Sequence, residues 1–352
     1  MKTLFYLEPS AARGGIEIFA ERHAAALRAA GREVEIAHAV PADLAPFDEI
    51  VVHKCTDLAT LERFPPERTV LYVHDHDPIC PRSYAYTPLR RNCTRASGLW
   101  PCLLCAPLCR AWRPALARVL SQRRRKRALA RLRGLVVISE FMKSRLVANG
   151  IPAEKITVER PSASSLKSQA SSLRPQTSSL KSQAQEPATC ALRPATCDPG
   201  SAGPAEPVDL LFVGQLIRGK GVQLLLRAMA RMRTRRTLDI VGAGNLEGRL
   251  RALAEKLGLA DRVRFRGFQA DPQAWMRAAV CVVVPSFWQE PYGLVAAEAV
   301  ALGRPVVAFA IGGLPEACGG KATLVPPGDI AALARALDAA PIRPPDHPTT
   351  RP

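Results

Sequence analysis

Glu290 and Glu298 are the two residues whose type and spacing most directly suggest chemistry. Seven residues separate them in the stretch "EPYGLVAAEAVALG". Glu290 precedes a proline-containing turn, whereas Glu298 lies in a run apolar enough to predict a buried helix. Because a buried carboxylate requires hydrogen-bond donors, both glutamates are candidate ligand-binding residues. A helix-capping acid and a salt-bridged acid are the structural alternative.

The turn between the glutamates predicts a helix that begins near Gly293. The backbone amides of Gly293, Leu294 and Val295 then lie in the first turn of that helix, where no intrahelical acceptor exists. Such amides, together with the helix dipole, suit a phosphate group. Glu290 can then reach sugar hydroxyls, and Glu298 can accept hydrogen bonds from the diol of a ribose.

A second phosphate-binding candidate is the loop "GQLIRGKG" at residues 214–221. Gly214 lets the chain turn at a strand end, and Arg218 and Lys220 follow beside a predicted helix N-terminus. Many surface loops carry such residues, so this motif alone is weakly specific. The similar "VGAGNLEGRL" at residues 241–250 lacks the full dinucleotide-binding glycine spacing and predicts a tight strand-to-helix turn.

Two parallel α/β sheets must position these residues, because apolar β-rich runs alternate with helical patterns along most of the chain. The predicted strands read "TLFYL", "EVEIAH", "EIVVH", "TVLYVH", "GLVVIS" and "KITVE", then "VDLLFVGQL", "TLDIVGAG", "RVRFRGF", "CVVVPS", "PVVAFA" and "KATLVPPG". We predict one doubly wound domain over residues 1–161 and another over residues 208–340. Such domains bind ligands in a crevice at the carboxyl ends of their strands.

Two segments of the chain predict no packed structure. Residues 162–207 contain the heptads "SSLKSQA", "SSLRPQT" and "SSLKSQA" in succession. One apolar residue per heptad cannot form a coiled-coil seam, so we predict a disordered low-complexity linker. Residues 341–352, "PIRPPDHPTTRP", are too rich in proline for a helix and predict a proline-rich tail.

The charge of the chain predicts an anionic partner, because Lys and Arg outnumber Asp and Glu by 49 to 31. A helix-like segment at residues 110–133 carries a solid basic run from Arg123 to Arg127. A solvated helix face and contact with an anionic membrane surface both fit this run. Nucleic acid is disfavoured, since Trp112 is the aromatic residue near it. The start, "MKTLFYLEPS", predicts a first strand rather than a signal peptide, and hence a cytoplasmic protein, peripheral at the inner membrane face.

A cysteine cluster is the last chemical feature of the sequence. A C-x2-C pair with further cysteines nearby, in a chain without a secretion signal, suits tetrahedral zinc. The predicted ligands of a structural zinc are Cys93, Cys102, Cys105 and Cys109, with Cys80 as an alternative ligand. Buried thiols without metal and an iron–sulfur cluster are the other interpretations of the cluster.

Several of these segments resemble the retaining glycosyltransferases of family 4, which have the GT-B fold. "EPYGLVAAEAVALGRPVVA" resembles the E-x7-E signature of that family, and "VGQLIRGKGVQLLLRAMA" resembles its diphosphate-binding loop. "GGIEIFAERHAAALRAAGREVEI" is similar to its N-terminal glycine loop and first helix, and "VISEFMKSRLVANGIPAEKITV" to the end of its first domain. The resemblance covers most of residues 1–160 and 208–340, and it implies two Rossmann-like domains that face a central crevice.

The resemblance also implies a nucleotide diphosphate sugar as donor. Gly14 and Gly15 would lie opposite the donor phosphates. Glu298 would bind the nucleotide ribose, and Glu290 would bind a hydroxyl of the transferred sugar. This family commonly carries a histidine that faces the donor sugar, at the strand end that His74 occupies in "LYVHDHDP". A purely structural role is the alternative for His74.

By the same resemblance, Arg218 and Lys220 would stabilise the leaving diphosphate, so that catalysis requires no divalent metal. The leaving phosphate itself would act as base in a front-face attack. Asp75 and His76, which follow His74, are weaker catalytic candidates. The basic segment favours a lipid-linked or polysaccharide acceptor at a membrane surface.

Two features depart from the family pattern. Residues 162–207 form a longer interdomain segment than the family usually has, and the proline-rich tail stands where the family continues with helices. A catalytically degenerate donor-binding or structural homologue with a shortened C-terminus is therefore the alternative to a transferase. A sugar–nucleotide epimerase is disfavoured by the E-x7-E pattern, and a nucleic-acid-binding protein rests on charge alone.

Overall fold

The computed structural model describes residues 1–9, 15–80, 93, 102, 116–117, 119–161, 204 and 208–342. These residues form two compact units. The first unit comprises Met1–Pro161 with two later segments, Trp288–Gly293 and Ile311–Ala317, and the second contains the other described residues. Nearly all of the predicted linker and the predicted tail lie outside the described residues, so both remain predictions.

The first unit contains a six-stranded parallel sheet with strand order β2-β1-β3-β4-β5-β6. Its strands are β1 Lys2–Leu7, β2 Glu33–Ala37, β3 Glu49–His53, β4 Thr69–Val73, β5 Gly134–Val137 and β6 Ile156–Val158. Most side chains of the inner strands are buried, including Leu4 and Phe5, because the sheet has apolar packing on both faces. Strand order reverses between β1 and β3, which is the type of position where doubly wound sheets bind ligands.

Among the described residues of Met1–Pro161, the helices include α1 Gly15–Ala29, α2 Leu58–Leu61, α3 Gln122–Arg131 and α4 Glu140–Val147. Helix α1 ends before Gly31, whose φ of +81° requires glycine, as the sequence predicts. Helix α4 begins after Ser139, whose side chain accepts a hydrogen bond from the Met142 amide at 3.1 Å.

Helix α3 contains the basic run, which the sequence assigned either to solvent or to a membrane surface. Arg123 and Arg127 are exposed, but Arg125 is only 4% exposed. Its guanidinium donates to the Thr56 carbonyl at 2.7 Å, and Arg124 forms a bidentate ion pair with Glu62. Both partners are more than sixty residues away in sequence. Part of the basic run therefore stabilises the first unit through contacts within it.

The second unit contains another six-stranded parallel sheet, with strand order β12-β11-β10-β7-β8-β9. Its strands are β7 Val208–Val213, β8 Leu238–Val241, β9 Val263–Gly267, β10 Ala279–Val284, β11 Val306–Phe309 and β12 Thr323–Val325. The helices that follow them along the chain are α5 Val222–Met229, α6 Glu247–Lys256, α7 Pro272–Ala278, α8 Leu294–Ala301, α9 Leu314–Cys318 and α10 Ile330–Ala339. Of these, α9 lies almost entirely in the segment Ile311–Ala317 of the first unit. The order reverses between β7 and β10. All twelve predicted strands are present, and the predicted fold class is confirmed.

A buried ionic cluster joins β8 to the edge strand β9. The Asp239 side chain is fully buried and accepts from Arg264 at 2.7 and 3.0 Å and from Arg266 at 2.6 Å. The Arg266 guanidinium also lies 5.4 Å from the centre of the Trp275 ring. Because Arg264 and Arg266 are two residues apart, they share one face of β9. The carboxylate is therefore paired with two cations, as a buried charge requires.

No helix among the described residues combines the length and the apolarity needed to cross a membrane.

Candidate functional site

Glu290 lies in the short segment Trp288–Gly293, which packs within the first unit. The residue is 6% exposed. The indole N–H of Trp288 donates to Glu290 Oε1 at 2.7 Å, and the Gly313 amide donates to the Glu290 carbonyl at 2.8 Å. Glu290 is thus a buried carboxylate on a turn that is tied at both its side chain and its backbone, as a ligand-orienting group requires.

Two glycines let a second segment pass against this turn. A Cβ atom on Gly312 would lie 2.4 Å from the Glu290 carbonyl oxygen, and one on Gly313 would lie 2.5 Å from the Pro291 carbonyl oxygen. Gly312 also has a φ of +61°. Only glycine fits at these positions. The pair was not predicted from the sequence, although "GG" one residue after the strand run "PVVAFA" is a turn signal.

Two side chains from other parts of the first unit hold the same turn. His76 Nε2 lies 2.8 Å from the carbonyl oxygen of Gln289, and since a carbonyl can only accept, Nε2 carries the proton. The Ser139 hydroxyl donates to the Pro291 carbonyl while it caps α4. Burial lowers the pKa of His76, so the ring is neutral at pH 7. The sequence named His76 only as a weak catalytic candidate and did not single out Ser139; the structure gives both a supporting role.

His74 follows β4, as predicted, and is partly buried. Its Nε2 atom lies 3.1 Å from Nδ1 of His53, the last residue of β3. The Phe19 ring of α1 lies against the imidazole, with ring centres 5.2 Å apart. Desolvation, and after it the charge of Lys54, lower the pKa of His74 to about 4. His74 is therefore neutral at pH 7 and suited to hydrogen bonding rather than to titration.

The carboxyl group of Asp75 lies beside that of Asp77. The Asp77 amide donates to Asp75 Oδ1 at 2.9 Å. Burial and the neighbouring Asp77 carboxylate raise the pKa of Asp75. Asp75 therefore remains a candidate for proton transfer, since a raised pKa brings a carboxyl group closer to neutral pH.

The glycine loop before α1 is described only in part. Gly15 is the first residue of α1, and Gly14 lies outside the described residues. The predicted position of both glycines opposite a phosphate remains a prediction. Gly15 does place a helix N-terminus at the carboxyl end of β1, where anions are favoured.

The second unit brings its two glycine turns together. Gly214 follows β7 with a φ of +150°, and Gly242 follows β8. A Cβ on Gly242 would lie 2.0 Å from the Gly214 carbonyl oxygen, and one on Gly244 would lie 2.6 Å from the Leu216 carbonyl oxygen. The two strand-to-helix turns are therefore packed backbone against backbone. The turn after β8 leads into α6, as "VGAGNLEGRL" predicts.

Arg218 and Lys220 form a single 3-10 turn that leads into α5. Gly221 follows with a φ of +78°, and a Cβ there would lie 1.8 Å from the carbonyl oxygen of Pro285, just after β10. The Phe287 amide donates to the Gly219 carbonyl at 3.1 Å. The basic loop is thereby fixed at the switch point between β7 and β10. The Arg218 side chain is exposed and the Lys220 side chain is partly exposed, as contact with a ligand requires.

Glu298 lies in the second turn of α8 and is 7% exposed. Gly293 precedes the helix with a φ of +108°, a conformation that favours glycine. The helix begins at Leu294, one residue later than predicted, and the amides of Leu294 and Val295 lie in its first turn. Those amides have no acceptor within the helix. Glu298 is therefore buried within a helix, as the sequence predicts.

The structure describes only some of the cysteines that the sequence predicts to bind zinc. Cys93 is partly buried, and its carbonyl accepts from Gln289 Nε2 at 3.2 Å and from an Arg145 guanidinium nitrogen at 3.1 Å. Cys80 and Cys102 are described, whereas Cys105 and Cys109 lie outside the described residues. Within the described ranges no three His, Cys, Asp or Glu side chains group as a metal site. The structural zinc remains a prediction.

Comparison with known proteins finds relatives of residues 207–340. Residues 207–340 match the family model for "Glycosyl transferases group 1". D-inositol 3-phosphate glycosyltransferase of Streptomyces coelicolor is 41% identical over 150 residues, which cover 38% of this chain and 33% of that protein. An uncharacterised glycosyltransferase of Methanocaldococcus jannaschii is 41% identical over 111 residues, 30% of this chain and 28% of that protein. The matches thus span about a third of the length of the curated relatives.

Solved structures match over nearly the whole chain. Anabaena HepE in complex with UDP-glucose aligns with a TM-score of 0.61 at 20% identity, covering 96% of this chain and 89% of HepE. WaaG, a glycosyltransferase involved in lipopolysaccharide biosynthesis, aligns with a TM-score of 0.58 at 18% identity, covering 96% and 90%. At these identities the likeness concerns the fold. The chain therefore has the GT-B fold, and its residues 207–340 resemble the group 1 glycosyltransferases.

Proposed function

We propose that the protein is a retaining glycosyltransferase of family 4 that transfers a sugar from a nucleotide diphosphate sugar to a lipid-linked or polysaccharide acceptor. The observation that carries the proposal is the buried Glu298 in α8, inside the group 1 domain, with Glu290 held on the turn that precedes the helix. A carboxylate at this position can accept hydrogen bonds from the two hydroxyls of a ribose diol.

The roles of the other residues follow from their positions in each unit. The amides of Leu294 and Val295 and the cations of Arg218 and Lys220 would hold the diphosphate. Glu290 and neutral His74 would bind hydroxyls of the sugar. In the reaction the acceptor hydroxyl oxygen bonds to the anomeric carbon as the bond from that carbon to the phosphate oxygen breaks. The proton of the hydroxyl passes to the leaving diphosphate, on the same face of the sugar, so configuration is retained.

Charge stabilisation of the leaving diphosphate is assigned to Arg218, Lys220 and the helix amides, which is why we propose catalysis without a divalent metal. HepE structures contain UDP or UDP-glucose. UDP-sugars are therefore the first donors to test. GDP- and ADP-sugars are tested next, so that all three candidate nucleotide bases of the donor are compared.

The proposed acceptor and location rest on the exposed part of the basic run. Arg123 and Arg127 on α3 are exposed, while Arg125 is internal. Two exposed cations on one helix would attract an anionic membrane surface by about 1 kcal/mol each. We propose that the enzyme works at the cytoplasmic face of a membrane. We expect the wild type to bind phosphatidylglycerol vesicles more strongly than phosphatidylcholine vesicles. The double variant R123Q/R127Q should lose this preference.

The decisive experiment is thermal unfolding with UDP-, GDP- and ADP-sugars for the wild type and for Glu298→Gln. A donor at about a hundred times its Kd stabilises the fold by about 2.7 kcal/mol. Glutamine keeps the volume of Glu298 but loses a charged acceptor, which weakens donor binding by about 10- to 100-fold. Glu255→Gln, an exposed carboxylate on α6, is the matched control and should respond like the wild type.

Each outcome has a distinct meaning. Stabilisation by one nucleotide series that disappears in Glu298→Gln supports donor binding through Glu298. Stabilisation without transfer to any acceptor would identify a degenerate donor-binding homologue. An unchanged melting temperature with every donor would contradict the proposal. Retention is then checked by NMR of the anomeric configuration of the product, and metal independence by activity in EDTA.

A further inference from the structure

His53 and His74 form a hydrogen-bonded pair at the carboxyl ends of two neighbouring strands. His53 ends β3, and its register partner on β4 is Tyr72, two residues before His74. The distance from His53 Nδ1 to His74 Nε2 is 3.1 Å. The ring centres are 5.4 Å apart and the ring planes differ by 22°. A centre-to-centre distance so much longer than the N–N distance means that the rings meet edge to edge, as a linear hydrogen bond requires.

The surroundings of His53 leave its ring one orientation. The side chain is 1% exposed. The Tyr72 ring is stacked on it at 4.7 Å, and the Phe5 ring lies 5.0 Å away. Lys54, the next residue, has a φ of +78°, which is uncommon for a residue other than glycine and fixes the direction of the chain. His53 is therefore a rigid partner, whereas His74 is partly exposed.

One proton occupies the bond between the two rings, because both imidazoles are neutral: burial lowers the pKa of each. If His53 donates from Nδ1, its own Nε2 carries a lone pair and no hydrogen. If His74 donates, Nε2 of His53 carries a hydrogen. That atom is buried and has no hydrogen-bond partner in the described part of the chain. Buried N–H groups without an acceptor are rarer than acceptors without a donor, so the first arrangement is the favoured one.

We propose that His53 is a positioning residue: it donates Nδ1–H to Nε2 of His74 and so holds His74 as the Nδ1–H tautomer. In this tautomer the remaining ring nitrogen of His74 is a hydrogen-bond donor, which suits a sugar oxygen. The inference rests on the proposed function for the role of His74, but the tautomer itself does not depend on catalysis.

The test is NMR of the imidazole nitrogens after histidine-selective 15N labelling, at pH 8 and without ligand. The chain has six histidines, so His74→Asn suffices to assign the His74 signals. Two-bond couplings to the carbon-bound ring protons distinguish the protonated nitrogen from the bare one. We expect wild-type His74 to be protonated at Nδ1 and His53 likewise at Nδ1. Protonation of His74 at Nε2 in the wild type would overturn the proposal without any variant.

Two substitutions of His53 then separate position from packing. The amide nitrogen of His53→Asn stands where Nδ1 stands, so His74 should remain Nδ1–H. His53→Leu removes the donor, and His74 should change to Nε2–H, the tautomer that predominates for histidine in water. An unchanged His74 in a folded His53→Leu protein contradicts the proposal.

Activity provides the last arm of the experiment. His53→Leu should lower kcat about 2- to 10-fold with little change in the KM for the donor, and His53→Asn should restore it. A loss of activity that His53→Asn does not restore would contradict positioning and indicate a packing role. If the wild type transfers no sugar at all, the proposed function fails while the NMR result still decides the role of His53.

Discussion

At the carboxyl ends of β3 and β4, in the first unit, the chain places histidines and carboxylates, whereas at the ends of β7 and β8, in the second, it places glycines. His53 and His74 are joined by a side-chain hydrogen bond, while Gly214 and Gly242 meet backbone to backbone. The first arrangement provides neutral imidazole groups with a fixed orientation for hydrogen bonding. The second brings peptide amides and a basic loop to the surface, as phosphate binding requires. The first unit thus suits hydrogen bonding to hydroxyl groups, and the second suits phosphate binding.

The largest effect should follow from closing a backbone contact in the second unit. Gly221→Ala would place a methyl group 1.8 Å from the Pro285 carbonyl oxygen and keep a φ of +78°. We expect it to lower the free energy of unfolding by more than about 3 kcal/mol in urea denaturation. Gly258→Ala, with a φ of +68° but nothing within 4 Å, should cost about 1 kcal/mol. Equal losses would mean that close approach does not matter.

A large effect on catalysis is expected from the basic loop, with none on stability. Arg218→Gln removes an exposed cation assigned to the leaving diphosphate, so kcat should fall about 10²- to 10³-fold. The free energy of unfolding should stay within about 0.5 kcal/mol of the wild type. Arg227→Gln, an exposed arginine on α5, should change neither quantity. If Arg218→Gln turned over like the wild type, the assignment of the loop would be wrong.

In the first unit the corresponding sensitive group is a side chain. Ser139→Ala removes both the cap of α4 and the donor to the Pro291 carbonyl. It should lower the free energy of unfolding by about 2 kcal/mol. Ser144→Ala, whose exposed hydroxyl donates to the Phe141 carbonyl at 2.7 Å, should lower it by no more than about 0.5 kcal/mol. Losses of the same size would refute a special role of Ser139.

Another effect in the first unit depends on pH. The pKa of His74 is about 4 in the folded chain and 6.5 when unperturbed. Between these values the unfolded state binds a proton that the folded state does not, so stability falls as pH falls from about 6.5 to about 4. His74→Asn should lose less stability over this window in urea denaturation at stepped pH. A steeper loss in the variant would reverse the assigned direction.

The sequence predicts the second unit more completely than the first for a physical reason. Strand ends, glycine turns and the apolar helix that carries Glu298 are local patterns, and the structure has them where they were predicted. The pairing of His53 with His74 and the two supports of the Glu290 turn, His76 and Ser139, join residues from 21 to 213 positions apart. Spacing along a chain does not reveal such contacts. Arg125 is a further example. Its basic neighbours in the sequence suggested an exposed side chain, but its contact with Thr56, 69 residues away, buries it.

The cluster of Asp239, Arg264 and Arg266 also bears on how the chain finds its fold. A one-residue slip of β9 would turn both arginines to the opposite face and leave a fully buried carboxylate without a cation. A two-residue slip would leave one arginine opposite it. Correct pairing is thus selected by charge as well as by apolar contact, in a strand that lies at the edge of its sheet. The same two arginines discourage a second chain from adding to that edge, since charge on an edge strand opposes aggregation.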